Sequence, residues 1–211
     1  MTGLVMCSGS VKNYEYIRKY IKRADIIICA DGGAEHLGKL GITPDILVGD
    51  FDSITEARLD AMIKAGAEVV RFPAEKDTTD TELAIGLAAD RGCDEVILLG
   101  ATGTRLDHTL ANIFLLRQLL DAGKSGFIAD ENNEIRLTGS KITLTRERDS
   151  RISLVPVGGR VTGVTTEGMY YPLKNATLEF GTTWGVSNEF LSDTASVTVT
   201  EGLLLVMESW D

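Results

Sequence analysis

Over roughly its first 130 residues the chain alternates short apolar runs with stretches of helical period. Gly3–Cys7, Asp25–Ala30, Asp45–Val48, Glu68–Phe72, Glu95–Leu99 and Gly126–Ala129 are rich in Val, Ile and Leu. They are nearly continuous in apolar character, as strands buried on both faces are. Between them, Glu56–Ala65, Thr81–Ala89 and Thr109–Leu120 carry helical periodicity. In the last, Leu110, Ile113, Phe114, Arg117 and Leu120 recur at steps of three and four, and their apolar members mark the expected core face. Repeated strand–helix alternation predicts an α/β domain, with a mostly parallel sheet covered by helices on both sides.

After about residue 140 the pattern changes. Lys141–Thr145, Arg151–Pro156, Gly163–Thr166, Ala176–Phe180, Ser196–Thr200 and Leu203–Met207 are short and Thr- and Val-rich, separated by Gly, Asn, Asp or Pro. No useful helical period remains, which predicts a smaller all-β sandwich or barrel. The polar segment Asp130–Glu134 marks the junction. The expected domains are therefore residues 1–130, α/β, and 138–211, all-β.

Charge and composition narrow the partners. With 31 acidic and 21 basic residues the net charge is −10, which argues against nucleic acid, because a polyanion needs a basic footprint. A small phosphorylated ligand stays open, since a few cations and a divalent metal neutralise phosphate locally. No apolar run reaches membrane-spanning length. The first residues read as a strand, with no basic leader before them and no cleavage site after. Cys7, Cys29 and Cys93 sit in or near apolar segments without metal-ligand spacing, as expected of buried free thiols in a reducing cytoplasm.

The chemistry concentrates where strands end. One apolar run leads into Asp31-Gly32-Gly33 and another into Gly49-Asp50-Phe51-Asp52-Ser53; a third leads through Pro73 to Lys76-Asp77-Thr78-Thr79-Asp80. In an open parallel sheet such loops converge on one edge, where ligands bind. Asp31, Asp50, Asp52 and Asp80 are thus expected close together. Clustered carboxylates repel, and a hard cation such as Mg2+ relieves that repulsion. Each loop also has a plainer reading. Asp-Gly-Gly is a common turn. Asp50 and Asp52 point the same way if the segment is extended, yet a lone Asp-x-Asp is often a solvated loop. Thr79 and Glu82 have capping-box spacing, and Asp77 is ambiguous between the two readings.

Gly100-Ala101-Thr102-Gly103 lacks the Gly-Lys-Ser/Thr of a Walker loop. With Arg105 and a helix start behind it, backbone amides and a guanidinium would face an anion. His108 reads as a hydrogen-bonding fixture and His36 as a surface residue near a helix end. Trp184 is either a core residue or a ligand-stacking one. Its flanks, Gly181-Thr182-Thr183 and Gly185-Val186-Ser187-Asn188, favour an irregular polar loop.

Taken together and in order, these segments resemble the thiamine pyrophosphokinase family. The resemblance is carried by Ala30–Gly33, Pro44-Asp45 with Gly49–Ser53, Lys76-Asp77 with Thr79-Asp80, Gly100–Gly103 with Arg105–His108, and Asn112. In the second half it is carried by Tyr171–Leu173 and by Gly181–Trp184 with Ser187-Asn188. The resemblance implies an N-terminal ATP-binding α/β domain, a C-terminal thiamine-binding β-sandwich, and a homodimer in which one subunit's sandwich meets the other's nucleotide domain around thiamine. It implies magnesium on Asp31, Asp50, Asp52 and Asp80. Lys76, Asp77, Arg105 and Asp107 would contact ATP. Trp184 would stack on the cationic thiamine rings, within the segment holding Thr182, Ser187 and Asn188.

The implied reaction is in-line attack of the thiamine hydroxyl on the β-phosphorus of ATP, with AMP leaving. It depends on positioning and charge neutralisation. Lys76 and Arg105 would stabilise developing charge, and Asp52 or Asp80 is the candidate proton acceptor. Two other readings share the sequence features: transfer to a different heterocyclic alcohol such as a pterin, and a non-catalytic thiamine or nucleotide sensor. The intact acidic set weighs against a sensor.

Overall fold

The computed structural model describes residues 1–210. They divide into two compact units, Met1–Glu131 and a second beginning at Asn132. The first unit runs β1 (Thr2–Met6), α1 (Tyr14–Ile21), β2 (Ile26–Ala30), α2 (Ala34–Leu40), β3 (Ile46–Gly49), α3 (Glu56–Lys64), β4 (Glu68–Arg71), α4 (Asp80–Asp90), β5 (Glu95–Leu99), α5 (Leu106–Asp121) and β6 (Ser125–Ala129). Its strands lie in the order β4-β3-β2-β1-β5-β6, and every neighbouring pair is parallel. The chain lays down β2, β3 and β4 on one side of β1, then crosses to place β5 and β6 on the other. The order therefore reverses between β1 and β5, the kind of switch point beside which open α/β sheets take ligands.

Both faces of this sheet are covered, which explains the unbroken apolar runs. On one face Leu4, Met6, Cys29, Leu47, Leu99 and Phe127 pack with Ile17, Tyr20, Leu37 and Met62 from α1, α2 and α3. The alternate residues Val5, Ile28, Val48 and Leu98 are buried too, and α4 lies against β1, β2 and β3. Each fully buried Leu, Ile or Val contributes about 1.5–3 kcal/mol. Local chemistry sets the helix starts. Asn13 accepts from Tyr16 N at 3.0 Å, and Thr79 Oγ1 accepts from Glu82 N at 3.2 Å, so Thr79 is a helix cap. Cys7, Cys29 and Cys93 are buried and free.

One helix face departs from expectation. α5 buries Asn112, Ile113, Leu116 and Leu119, whereas Leu110 and Phe114 are about half exposed. Periodicity locates an apolar stripe but not the surface that covers it, and part of the stripe on α5 faces away from the sheet.

The second unit contains β7 (Asn133–Thr138), β8 (Ile142–Thr145), β9 (Arg151–Glu167), β10 (Ala176–Leu178), β11 (Asn188–Glu189), β12 (Thr194–Thr198) and β13 (Glu201–Ser209), and no helix among the described residues. β7 lies where the polar sequence suggests a junction; it pairs along β13, and its polar side chains do not prevent that. Arg151–Pro156 and Gly163–Thr166 are parts of one strand. β9 pairs with β13 over Arg151–Val157, shifts register, and pairs with β12 over Thr165–Glu167. Gly158 and Gly159, at φ of 73° and 158°, lie at the shift. Glycine there bends a strand without ending it. Leu144, Ile152, Leu154, Val161, Val164, Val197, Leu204 and Val206 form this unit's core. No helix among the described residues is long and apolar enough to cross a membrane.

Candidate active site

Three acidic residues meet where β2 and β3 end. Asp31, Asp50 and Asp52 each offer a carboxylate oxygen, and these oxygens lie within 4.8 Å of one another. Backbone geometry rather than extension brings them together. Asp31 opens a short 3-10 turn at φ 36°, and Phe51 adopts φ 66°. Asp50 and Asp52 therefore converge across a left-handed turn, in which Asp52 N donates to Asp50 Oδ1 at 3.1 Å; the straight-segment geometry expected from their spacing is not what occurs. Positive φ on non-glycine residues costs on the order of 1–3 kcal/mol and concentrates at functional sites.

Asp80, the first residue of α4, stands beside this trio. A side chain on Gly49 would meet Asp31 Cβ at 3.0 Å and the Asp80 carboxyl at 3.4 Å, so the bare glycine lets the two acids approach. Asp80 Oδ1 lies 3.1 Å from Lys76 Nζ without hydrogen-bond geometry, and Lys76 also donates to Pro73 O at 3.1 Å. Asp31 Oδ1 is likewise buried with no hydrogen bond, while its Oδ2 accepts from the Ser53 hydroxyl. Repulsion from Asp50, followed by desolvation, raises the Asp52 carboxyl above the ordinary range. Asp77 is exposed and outside the trio.

The crevice between the β1 and β5 loops is a cavity of about 330 Å³. It is lined by Ser8-Gly9-Ser10 and Gly100–Arg105, with Thr81, His108 and Asn112. The two loops are zipped together, Gly9 N to Gly100 O and Ser10 N to Thr102 O, both 2.7 Å. Asn112 Nδ2 donates to Ala101 O at 2.7 Å, and Thr109 Oγ1 accepts from Gly103 N at 3.1 Å, so α5 fixes the glycine loop. Arg105 reaches Asp107 through Nε at 3.2 Å and Nη2 at 2.5 Å. That bond holds the Asp107 carboxyl down at about 2. Ser8–Ser10 carries no motif, but it follows an apolar run as the acidic loops do, and that rule points to it.

In the second unit a cavity of about 430 Å³ is lined by Leu154, Tyr170, Tyr171, Trp184, Ser187 and Asn188, among others. Trp184 is 62% exposed, so it is not a core residue, and its segment is irregular as the sequence suggests. Asn188 is buried and committed to the wall: Nδ2 donates to Tyr171 O at 2.7 Å, and Oδ1 accepts from Tyr171 N at 3.0 Å. Thr182 lies outside the lining, its hydroxyl donating to Glu179 O at 2.9 Å.

Comparison with known proteins bears on both places. Residues 17–127 match the thiamin pyrophosphokinase catalytic domain, and residues 139–204 match that family's vitamin B1 binding domain. Thiamine pyrophosphokinase of Bacillus subtilis is 31% identical over 194 residues, covering 91% of each chain. Thiamine pyrophosphokinase 1 of rice is 26% identical, over 86% of this chain and 78% of the relative. The crystal structure of the Bacillus subtilis protein superposes with a TM-score of 0.91 at 30% identity over the whole of both chains. That of Geobacillus thermodenitrificans thiamin pyrophosphokinase gives 0.86 at 29%, over all of this chain and 98% of the other. With both domains matched in order and the whole fold shared, the chain belongs to the thiamine pyrophosphokinase family.

Proposed function

We propose that the acidic cluster and the adjoining crevice carry the thiamine diphosphokinase activity of this chain. That activity moves the diphosphate of ATP to the hydroxyl of thiamine, giving thiamine diphosphate and AMP. The observation that carries the assignment is the cluster of three carboxylates, Asp31, Asp50 and Asp52, in which Asp31 Oδ1 is buried without a hydrogen bond. Such groups are costly without a cation. The donors are hard and anionic, which fits magnesium held by Asp31, Asp50 and Asp52 with Asp80 alongside. Bound there, magnesium supplies charge neutralisation to the ATP phosphates.

The chain's own groups do the rest. The Gly100–Gly103 loop and the start of α5 present backbone amides to phosphate. Arg105, paired to Asp107 at the rim, provides a guanidinium for developing charge, and Lys76 offsets Asp80 while keeping protons for a phosphate oxygen. Asp80 is tied to Lys76, which leaves the exposed Asp52 as acceptor of the hydroxyl proton. Asp77 is assigned no contact. Trp184, Tyr170 and Tyr171 offer faces to a cationic aromatic ring, with Ser187 beside them. The all-β part, read as a sandwich, holds thiamine in this cavity.

We read the working form as a homodimer, with thiamine where one subunit's β-rich unit meets the partner's α/β unit. What supports it is apolar surface left to water: Leu106, Leu110 and Phe114 along α5, and Tyr170, Tyr171 and Trp184 around the second cavity. The three buried free thiols suit a cytoplasmic protein. The test of the reaction is a product assay with ATP, magnesium and thiamine. Equal amounts of AMP and thiamine diphosphate are expected; ADP with thiamine monophosphate would overturn attack at the β-phosphorus.

A further inference from the structure

We propose that His36 is a positioning residue for nucleotide binding, locking the Ser8–Ser10 wall of the crevice to the helix that follows the Asp31 turn; this rests on the reading that ATP occupies the crevice. His36 is half-buried on α2. Its Nε2 lies 2.8 Å from Gly9 O, and its Nδ1 lies 2.8 Å from the Tyr14 hydroxyl. A carbonyl can only accept, so Nε2 carries the proton. In the neutral ring Nδ1 is then the acceptor, and the Tyr14 hydroxyl donates to it. Tyr14 thus fixes the tautomer that lets His36 hold Gly9.

The packing around this bond shows what it holds. Added side chains at Gly32 and Gly33 would meet Ser8 Cβ at 3.0 Å and Met6 O at 2.3 Å. The glycines after Asp31 therefore serve close approach to the β1 loop. On the opposite side, a side chain at Gly9 would meet Gly100 O and Thr102 O, both at 2.4 Å. Ser8–Ser10 is a splint pressed between the metal turn and the glycine loop. Backbone bonds secure it to the glycine loop. Toward α2 the His36 side chain holds it through Gly9 O, and needs no contact with the nucleotide.

The test is steady-state kinetics on the full chain, wild type first, with ATP and thiamine varied in turn. His36→Leu removes both ring bonds; His36→Gln keeps a donor of similar reach. The expected result for His36→Leu is a KM for ATP raised roughly five- to tenfold, the scale of one lost hydrogen bond. Its kcat and its KM for thiamine stay within about twofold, and His36→Gln restores most of the loss. An unchanged KM for ATP overturns the inference. So does a loss spread equally over both substrates and not relieved by Gln, which marks a purely structural role. Should His36→Leu not fold, Tyr14→Phe carries the test: a rise of about two- to threefold in the ATP KM alone is expected, and none overturns the proposal. A wild type that makes no product removes the crevice reading and the inference together, whereas an active wild type with an indifferent His36→Leu removes the inference alone.

Discussion

The guanidinium of Arg71 lies over the ring of Phe51, 4.9 Å from its centroid, and Arg71 Nη1 donates to Asp50 O at 3.3 Å. Phe51 is itself buried. One side chain therefore pins both the anchor and the backbone of the left-handed turn that carries Asp50 and Asp52. Arg71→Met removes the cation–π contact and the hydrogen bond together. The magnesium concentration for half-maximal activity is expected to rise severalfold, with turnover at saturating magnesium near that of the wild type. A magnesium titration of activity checks it; an unmoved midpoint shows that the turn holds without Arg71.

Asp50→Asn and Asp52→Asn separate function from stability. Each is expected to reduce turnover a hundredfold or more. Neither should lower the thermal midpoint in the absence of divalent metal, because each relieves the repulsion that raises the Asp52 carboxyl. Near-normal turnover in either variant would end the metal-ligand assignment.

Trp184 is exposed and so contributes little to folding. Trp184→Ala is expected to raise the KM for thiamine about tenfold or more, with the KM for ATP and the melting temperature unchanged. Trp184→Phe should fall between. An unchanged thiamine KM would move the binding site away from this cavity.

Glu208 on β13 lies directly across from Glu134 on β7. Burial first, then Glu134, pushes its carboxyl from 4.5 to about 7, against a lowering influence of Arg136. The folded state thus holds this proton more tightly than the unfolded chain does. Its contribution to stability is present below about pH 4.5 and is lost as pH rises toward 7. Glu208→Gln is expected to raise stability at pH 8 by about 1 kcal/mol, allowing for solvent screening, and to leave it unchanged at pH 4. Thermal melts at the two pH values decide it; equal shifts at both would exclude the titration.

Phe114→Glu with Leu110→Glu places charge on the exposed face of α5. If that face joins two copies, the double variant should run as a monomer by light scattering while retaining its fold. A dimer that survives both changes would locate the interface elsewhere.

The first unit was legible in the sequence because strands covered on both faces leave continuous apolar runs, and the acidic loops were legible because each follows such a run. What the sequence hid has physical causes. Pro156, Gly158 and Gly159 carry the signals of a strand end, yet they sit in the bend of one long strand. Asn133 and Glu134 look like linker residues, but they satisfy a ladder with Ser209 and Glu208. Leu110 and Phe114 are apolar without being core. His36 and Arg71 act through a carbonyl and a ring remote in sequence, and no local spacing marks either. The sequence offers Asn188 as a candidate binding residue, but does not show that both ends of its amide are spent on Tyr171.

The parallel pairing of Thr2–Met6 with Glu95–Leu99 has a consequence during synthesis. This central strand leaves the ribosome 93 positions before the partner for one of its edges, the separation of Thr2 from Glu95. At 5–20 residues per second that edge waits roughly 5–20 s for its mate. The Ser8–Ser10 loop, zipped to Gly100 and Thr102, waits equally long. In a nascent chain this crevice therefore cannot form before most of the α/β unit has emerged, and the exposed apolar strand in that interval is where chaperone binding or mispairing would begin.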